Sequence, residues 1–115
     1  MKISLIVPVY NVEDYIRECI DGILKMNYKN YEIIIIENNS NEETFAYYDS
    51  LKKYPQIKVV VYKPEGGFNY SAINNYGAKF AKGEHILLLN IFSLNYLLKY
   101  HQWHHLKLKL VISIK

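Results

Sequence analysis

Four clusters of polar residues close four apolar runs, and their side chains suit the reading of a planar, polar ligand. Tyr10 and Asn11 follow Ile3-Ser4-Leu5-Ile6-Val7-Pro8-Val9, and Glu37-Asn38-Asn39-Ser40 follow Tyr31-Glu32-Ile33-Ile34-Ile35-Ile36. Lys63 follows the run from Ile57 to Tyr62, and Asn90 follows His85-Ile86-Leu87-Leu88-Leu89. Amides, one carboxylate and a phenol supply the donors and acceptors that a base edge and a ribose require. Each cluster has a plainer reading: Tyr10 packs, and Asn11 caps the helix that follows. Capping explains each segment separately. It explains less well why all four would share one edge of a parallel sheet.

Other chemistries find little support. There is no G-x-x-x-x-G-K-[ST] and no G-x-G-x-x-G, and Gly66-Gly67 alone is weak. His101, His104 and His105 have helical spacing but lack a general-base Glu and a nearby cysteine, so no metal site is assigned. No carboxylate pair sits at strand ends as an acid–base couple would, and no catalytic residue is assigned. Cys19 has no partner for nucleophilic chemistry and reads as a buried structural thiol.

The elements that must position these clusters follow from periodicity. Ile3–Val9 and Tyr31–Glu37 are continuous apolar runs rich in β-branched residues, which predicts strands buried on both faces. Pro8 has no N–H and fits best where a ladder ends. Asn11 is the expected N-cap of a helix carrying Tyr15, Ile16, Cys19, Ile20, Ile23 and Leu24, fading by Met26-Asn27. Ser40 or Asn41 caps a second helix running to about Tyr54, where Pro55 stops it. Ile57 to Tyr62 is a third strand. Phe68-Asn69-Tyr70-Ser71 leads into a helix bearing Ala72, Ile73, Tyr76, Phe80 and Ala81, ended by Lys82-Gly83. His85 to Asn90 is a fourth strand. The alternation predicts an α/β fold: three-layer α/β/α, with a mostly parallel sheet.

The chain has 115 residues, enough for one domain with a core. One cysteine allows no internal disulfide and fits a reducing compartment. Met1-Lys2 runs directly into a strand, so no leader is expected, and no apolar run reaches the length of a membrane helix. All eleven acids lie in residues 1–84, while residues 91–115 hold Lys99, Lys107, Lys109 and Lys115, three of the four histidines and no acid. This shift divides the chain into residues 1–90 and a distinct tail, 91–115. No nucleic-acid partner is expected, because the tail lysines read as a solvated edge. Within the tail, Leu106 to Ile114 alternates and predicts an edge strand able to cover the fourth strand.

Taken together, residues 2–90 resemble the N-terminal part of a family 2 glycosyltransferase with the GT-A fold. The resemblance is carried by Ser4-Leu5-Ile6-Val7-Pro8-Val9-Tyr10-Asn11, by Tyr31 to Ser40, and by Ile73-Asn74-Asn75-Tyr76-Gly77-Ala78 through Asn90. It implies transfer of a sugar from a nucleotide-diphosphate donor (UDP- or TDP-linked) to a saccharide or lipid-linked acceptor, with inversion. The lead-in at residues 68–71 looks most like bacterial transferases that build surface polysaccharides. The nucleotide-binding residues so implied are Pro8, Val9, Tyr10 and Asn11, then Glu37, Asn38, Asn39 and Ser40, then Asn75 and Asn90. Asn38 stands where the family has a base-contacting aspartate. Asn75 and Gly77 match the family's Asn-x-Gly, and Asn74 stands where relatives often have a phosphate-facing arginine. The implied location is cytoplasmic, with peripheral association at the inner membrane face.

The resemblance stops after Leu89. The family strand runs into an Asp-x-Asp-type motif whose last aspartate holds Mg²⁺ or Mn²⁺ against the diphosphate; here Asn90 is followed by Ile91-Phe92-Ser93. A missing metal removes several kcal/mol of charge stabilisation, and a missing acceptor base costs about 10²–10⁴-fold. Residues 1–115 alone are therefore expected to be inactive in transfer, as an incomplete GT-A domain. The tail, acid-free and rich in Leu, Lys, Ile and Tyr, has the composition of an out-of-frame read of AT-rich DNA. The competing expectation is a non-catalytic nucleotide or sugar-nucleotide binding module.

Overall fold

The computed structural model describes residues 1–10, 15–67, 69–89 and 111–114. Among the described residues strands and helices alternate through β1 (Ile3–Val9), α1 (Ile16–Leu24), β2 (Tyr31–Glu37), α2 (Glu42–Ser50), β3 (Ile57–Val61), α3 (Tyr70–Ala78) and β4 (His85–Leu88), and a further strand is β5 (Val111–Ile114). The sheet order is β3-β2-β1-β4-β5. The first four strands are parallel, and β5 runs antiparallel to β4.

The central strands are apolar throughout because both their faces are covered. Leu5, Val7, Val9, Ile33 and Ile35 pack with Ile16, Cys19, Ile20 and Ile23 of α1 and with Tyr47 and Tyr48 of α2. Their neighbours in sequence, Ile6, Ile34 and Ile36, pack on the other face with Ile73 of α3 and with Ile86. The result is the three-layer α/β/α arrangement that the continuous apolar runs predict.

Pro8 lies inside β1, opposite Ile36. The carbonyl of Ile6 accepts from the Leu89 N–H and that of Val9 from the Asn38 N–H, so alternate residues serve β4 and β2. Pro8, in phase with Ile6, is turned toward β4 just beyond the last pair, Ile6 with Leu88. The missing N–H therefore breaks no ladder bond.

Several boundaries differ from expectation. Helix α1 begins at Ile16 after Tyr15, which makes no side-chain cap; Asn11, the expected cap, lies outside the described residues. Helix α2 ends at Ser50 and tightens into a 3₁₀ turn, Leu51–Lys53, before Pro55. Helix α3 ends at Ala78, ahead of Phe80, and β4 ends at Leu88. Lys82-Gly83 is thus not a helix stop. Gly83 is where the returning chain crosses β1: a Cβ there would meet Ser4 Oγ at 2.7 Å and the Lys2 carbonyl oxygen at 2.8 Å. Val111–Ile114 takes the predicted edge position beside β4, with Leu88 opposite Val111 and His85 opposite Ile114.

Candidate functional site

Strands β2 and β3 build outward on one side of β1, and β4 lies on the other. The direction of winding reverses at β1, and in open α/β sheets ligands bind outside the carboxyl ends at such a reversal. The register levels those ends: Val9 lies opposite Glu37, and Glu37 opposite Val61. Two further bonds extend the rim, from the Asn38 N–H to the Val9 carbonyl at 2.9 Å and from the Tyr62 N–H to the Glu37 carbonyl at 2.9 Å.

Glu37 is fully buried at this rim. Its Oε1 accepts from the Tyr48 hydroxyl, and its Oε2 accepts from the Ser40 N–H at 2.7 Å. A donor at each oxygen satisfies a carboxyl group held away from water. The chain then turns through Asn39, whose φ of 58° lies in the left-handed region that asparagine tolerates better than most residues. Asn41 caps α2, its Oδ1 accepting from the Thr44 N–H at 2.9 Å. Thus Glu37 and Asn41 hold the two ends of the turn, leaving Asn38 buried, Asn39 exposed and Ser40 half-buried between them.

On the other side of the sheet, Asn69 caps α3, accepting from the Ala72 N–H at 2.8 Å. Gly77 lets α3 lie against the sheet: a Cβ there would meet Ile36 Cδ1 at 2.7 Å and Ile6 Cγ2 at 2.9 Å. One turn nearer the rim, Asn74 is buried; its Nδ2 donates to the Tyr70 carbonyl at 3.0 Å, while its Oδ1 is buried without a partner.

Of the sequence-predicted residues, Pro8, Val9, Tyr10, Glu37, Asn38, Asn39 and Ser40 share the rim. Val9 is fully buried and reaches the rim through its carbonyl; Tyr10 is half-buried. Asn75 lies on the exposed side of α3, and Asn11 and Asn90 lie outside the described residues. Sequence reasoning missed Tyr48 as the donor to Glu37, for which no local pattern gives a signal. It also read Asn74 only as a lost cation; its position three residues before Gly77, on the same helical face, was the available clue. Ser40 Oγ is a second buried rim atom without a partner.

Among the described residues no three His, Cys, Asp or Glu side chains stand together as a metal site. The segment where the resemblance puts the metal-binding aspartate, residues 90–93, lies outside them. No described helix is long and apolar enough to cross a membrane.

A poly(ribitol-phosphate) beta-glucosyltransferase of Bacillus spizizenii is 36% identical over 92 residues, which is 78% of this chain and 14% of that protein. The O-antigen biosynthesis protein RfbC of Myxococcus xanthus is 38% identical over 91 residues, 77% of this chain and 7% of that one. The chain therefore spans less than a sixth of the length of either relative. Among solved structures, S. aureus TarS 1-349 superposes with a TM-score of 0.67 at 26% identity, covering 91% of this chain and 33% of that one. The same protein in complex with UDP superposes at 0.66 and 24% identity, covering 88% and 33%. The profile described as Glycosyl transferase family 2 matches residues 4–90, and the chain belongs to that family.

Proposed function

We propose that residues 1–90 form the nucleotide-binding part of a glycosyltransferase that takes its sugar from a nucleoside-diphosphate donor, with inversion, in bacterial cell-surface polysaccharide synthesis. The observation that carries this reading is a coincidence of place. Inside the family match at residues 4–90, Tyr10 follows β1 and Asn38, Asn39 and Ser40 follow β2, where the winding of the sheet reverses. In this reading Tyr10, with Pro8 and Val9 behind it, faces the base. Asn38 offers an amide to the base edge, and Asn39 and Ser40 offer donors to ribose or phosphate. Asn11, Asn75 and Asn90 complete the set. Glu37 acts from within, holding the turn rather than touching the ligand. UDP is the first nucleotide to try, given the solved UDP complex of a structural relative.

A second reading, a binding module without transfer activity, is favoured by one feature. Asn90-Ile91-Phe92-Ser93 offers no carboxylate where the resemblance expects the Mg²⁺ or Mn²⁺ ligand. Titration calorimetry with UDP and TDP, with and without Mn²⁺, tests both readings, alongside an assay for release of UDP from UDP-sugars. Saturable binding supports the nucleotide site, and binding indifferent to Mn²⁺ supports the module. Turnover of a sugar donor would overturn the module reading, and a folded chain that binds neither nucleotide would overturn both.

A further inference from the structure

We infer that Asn74 reads a hydrogen-bond donor on the nucleoside of the bound ligand, and not its phosphates; the inference rests on the nucleotide-binding reading above. Asn74 is 4% exposed, on the side of α3 that carries Ile73 and Gly77 against the sheet. Its amide orientation is set by the bond from Nδ2 to the Tyr70 carbonyl at 3.0 Å. Turning the amide over would press two carbonyl oxygens together, so the group left over is the oxygen. That Oδ1 is buried and has no partner. Buried polar atoms are nearly always paired, and an unpaired one at a candidate site points to a missing partner.

The chemistry of that partner follows. Oδ1 is purely an acceptor, and the ionised oxygens of a diphosphate are acceptors too, so the two repel. Only an N–H or an O–H satisfies it. The position suits a nucleoside. Gly77 lies against Ile6 and Ile36, and Asn74 lies one turn closer to the rim. Side chains lean toward a helix N-terminus, as the bond back to Tyr70 shows here. The next residues of β1 and β2 on this face, beyond Ile6 and Ile36, are Pro8 and Asn38. The Asn74 oxygen therefore belongs to the same end of the sheet as the Asn38 amide. Two nucleoside groups could meet it: a ring N–H of the base or a hydroxyl of the ribose.

The test is calorimetry on the full chain with uridine, UMP and UDP, and with the diphosphates of 3-methyluridine, 2′-deoxyuridine and 3′-deoxyuridine, on the wild type and on Asn74→Leu. The expected result is that Asn74→Leu weakens uridine, UMP and UDP by one common factor, roughly 3–10-fold for a neutral hydrogen bond. One of the three analogues then binds the wild type weaker by a similar factor and loses nothing more on the variant, which identifies the donor group. A loss that grows with the number of phosphates, or wild-type binding equal for UDP and all three analogues, would overturn the inference. If Asn74→Leu does not fold, Asn74→Ala takes its place under the same criteria. Failure of the folded wild type to bind any of the three unmodified ligands or TDP overturns the nucleotide reading itself, a result distinct from failure of the Asn74 assignment.

Discussion

The Tyr48 hydroxyl, on the second helix, donates to Oε1 of Glu37 at the end of the second strand, eleven residues earlier. The Ser40 N–H holds the other carboxylate oxygen, so two bonds fix the start and the middle of the turn that presents Asn38 and Asn39. Tyr48→Phe removes one donor from a buried carboxyl group. The expected loss is about 1–3 kcal/mol of stability, read as a lower urea midpoint, with weaker UDP binding as the turn loosens. A midpoint and an affinity both unchanged would mean that the carboxylate has no need of Tyr48.

Helix α3 and the strand after it approach the sheet through two glycines. Gly77→Ala drives a methyl into Ile36 and Ile6, side chains with some room to shift, and is expected to cost about 1–3 kcal/mol. Gly83→Ala meets main chain, the Lys2 carbonyl and the Ser4 nitrogen at 2.8 Å each, and disturbs the bond from the Gly83 N–H to Ser4 Oγ. Chemical denaturation should therefore rank Gly83→Ala as the more damaging of the two.

At the far end of the sheet from the candidate site, Glu32 gathers Ser4 Oγ and the Lys82 N–H, both at 2.5 Å. Partial burial raises its pKa, but the bonds from Ser4 and Lys82 and the charge of Lys2 outweigh this, so it lies below the ordinary value. A lowered folded-state pKa adds stability that is complete above the unfolded value, about 4.3, and is lost as pH falls through that value toward the folded one. The gap in urea midpoint between wild type and Glu32→Gln should be constant above about pH 5 and shrink below pH 4. A gap independent of pH would contradict the ionised role.

Burial on the inner side of α1 pushes the Cys19 thiol up to about 12. The folded chain should therefore resist Ellman's reagent at pH 8 and release one equivalent of thiol only in denaturant. Prompt reaction under native conditions would show that α1 does not stay packed on the sheet.

The sheet was legible because both faces of β1 and β2 are covered. A run such as Ile33-Ile34-Ile35-Ile36 has no other stable place in a chain of this size. Helix ends were less legible. Phe80 and Ala81 keep the apolar spacing of α3, yet the chain leaves the helix at Ala78 because Gly83 has to cross β1 within contact of Ser4. At the candidate site, the polar residues after β1 and β2 were readable from where the apolar runs stop. The inward role of Glu37 was not, since it depends on Tyr48 arriving from another element. Asn74 and Asn75 are adjacent and alike in composition, and only the 100° turn between them decides that Asn74 faces the sheet and Asn75 does not.

The central claim, a nucleotide site at the carboxyl ends of the strands, is tested most directly by following backbone amide signals in an NMR titration with UDP. The account predicts saturable shifts concentrated at Val9, Tyr10, Asn38, Asn39, Ser40 and Asn74, with Lys82, Gly83 and Glu84 at the opposite end unmoved. Shifts centred on that opposite end, or none at millimolar UDP with a folded spectrum, would contradict it.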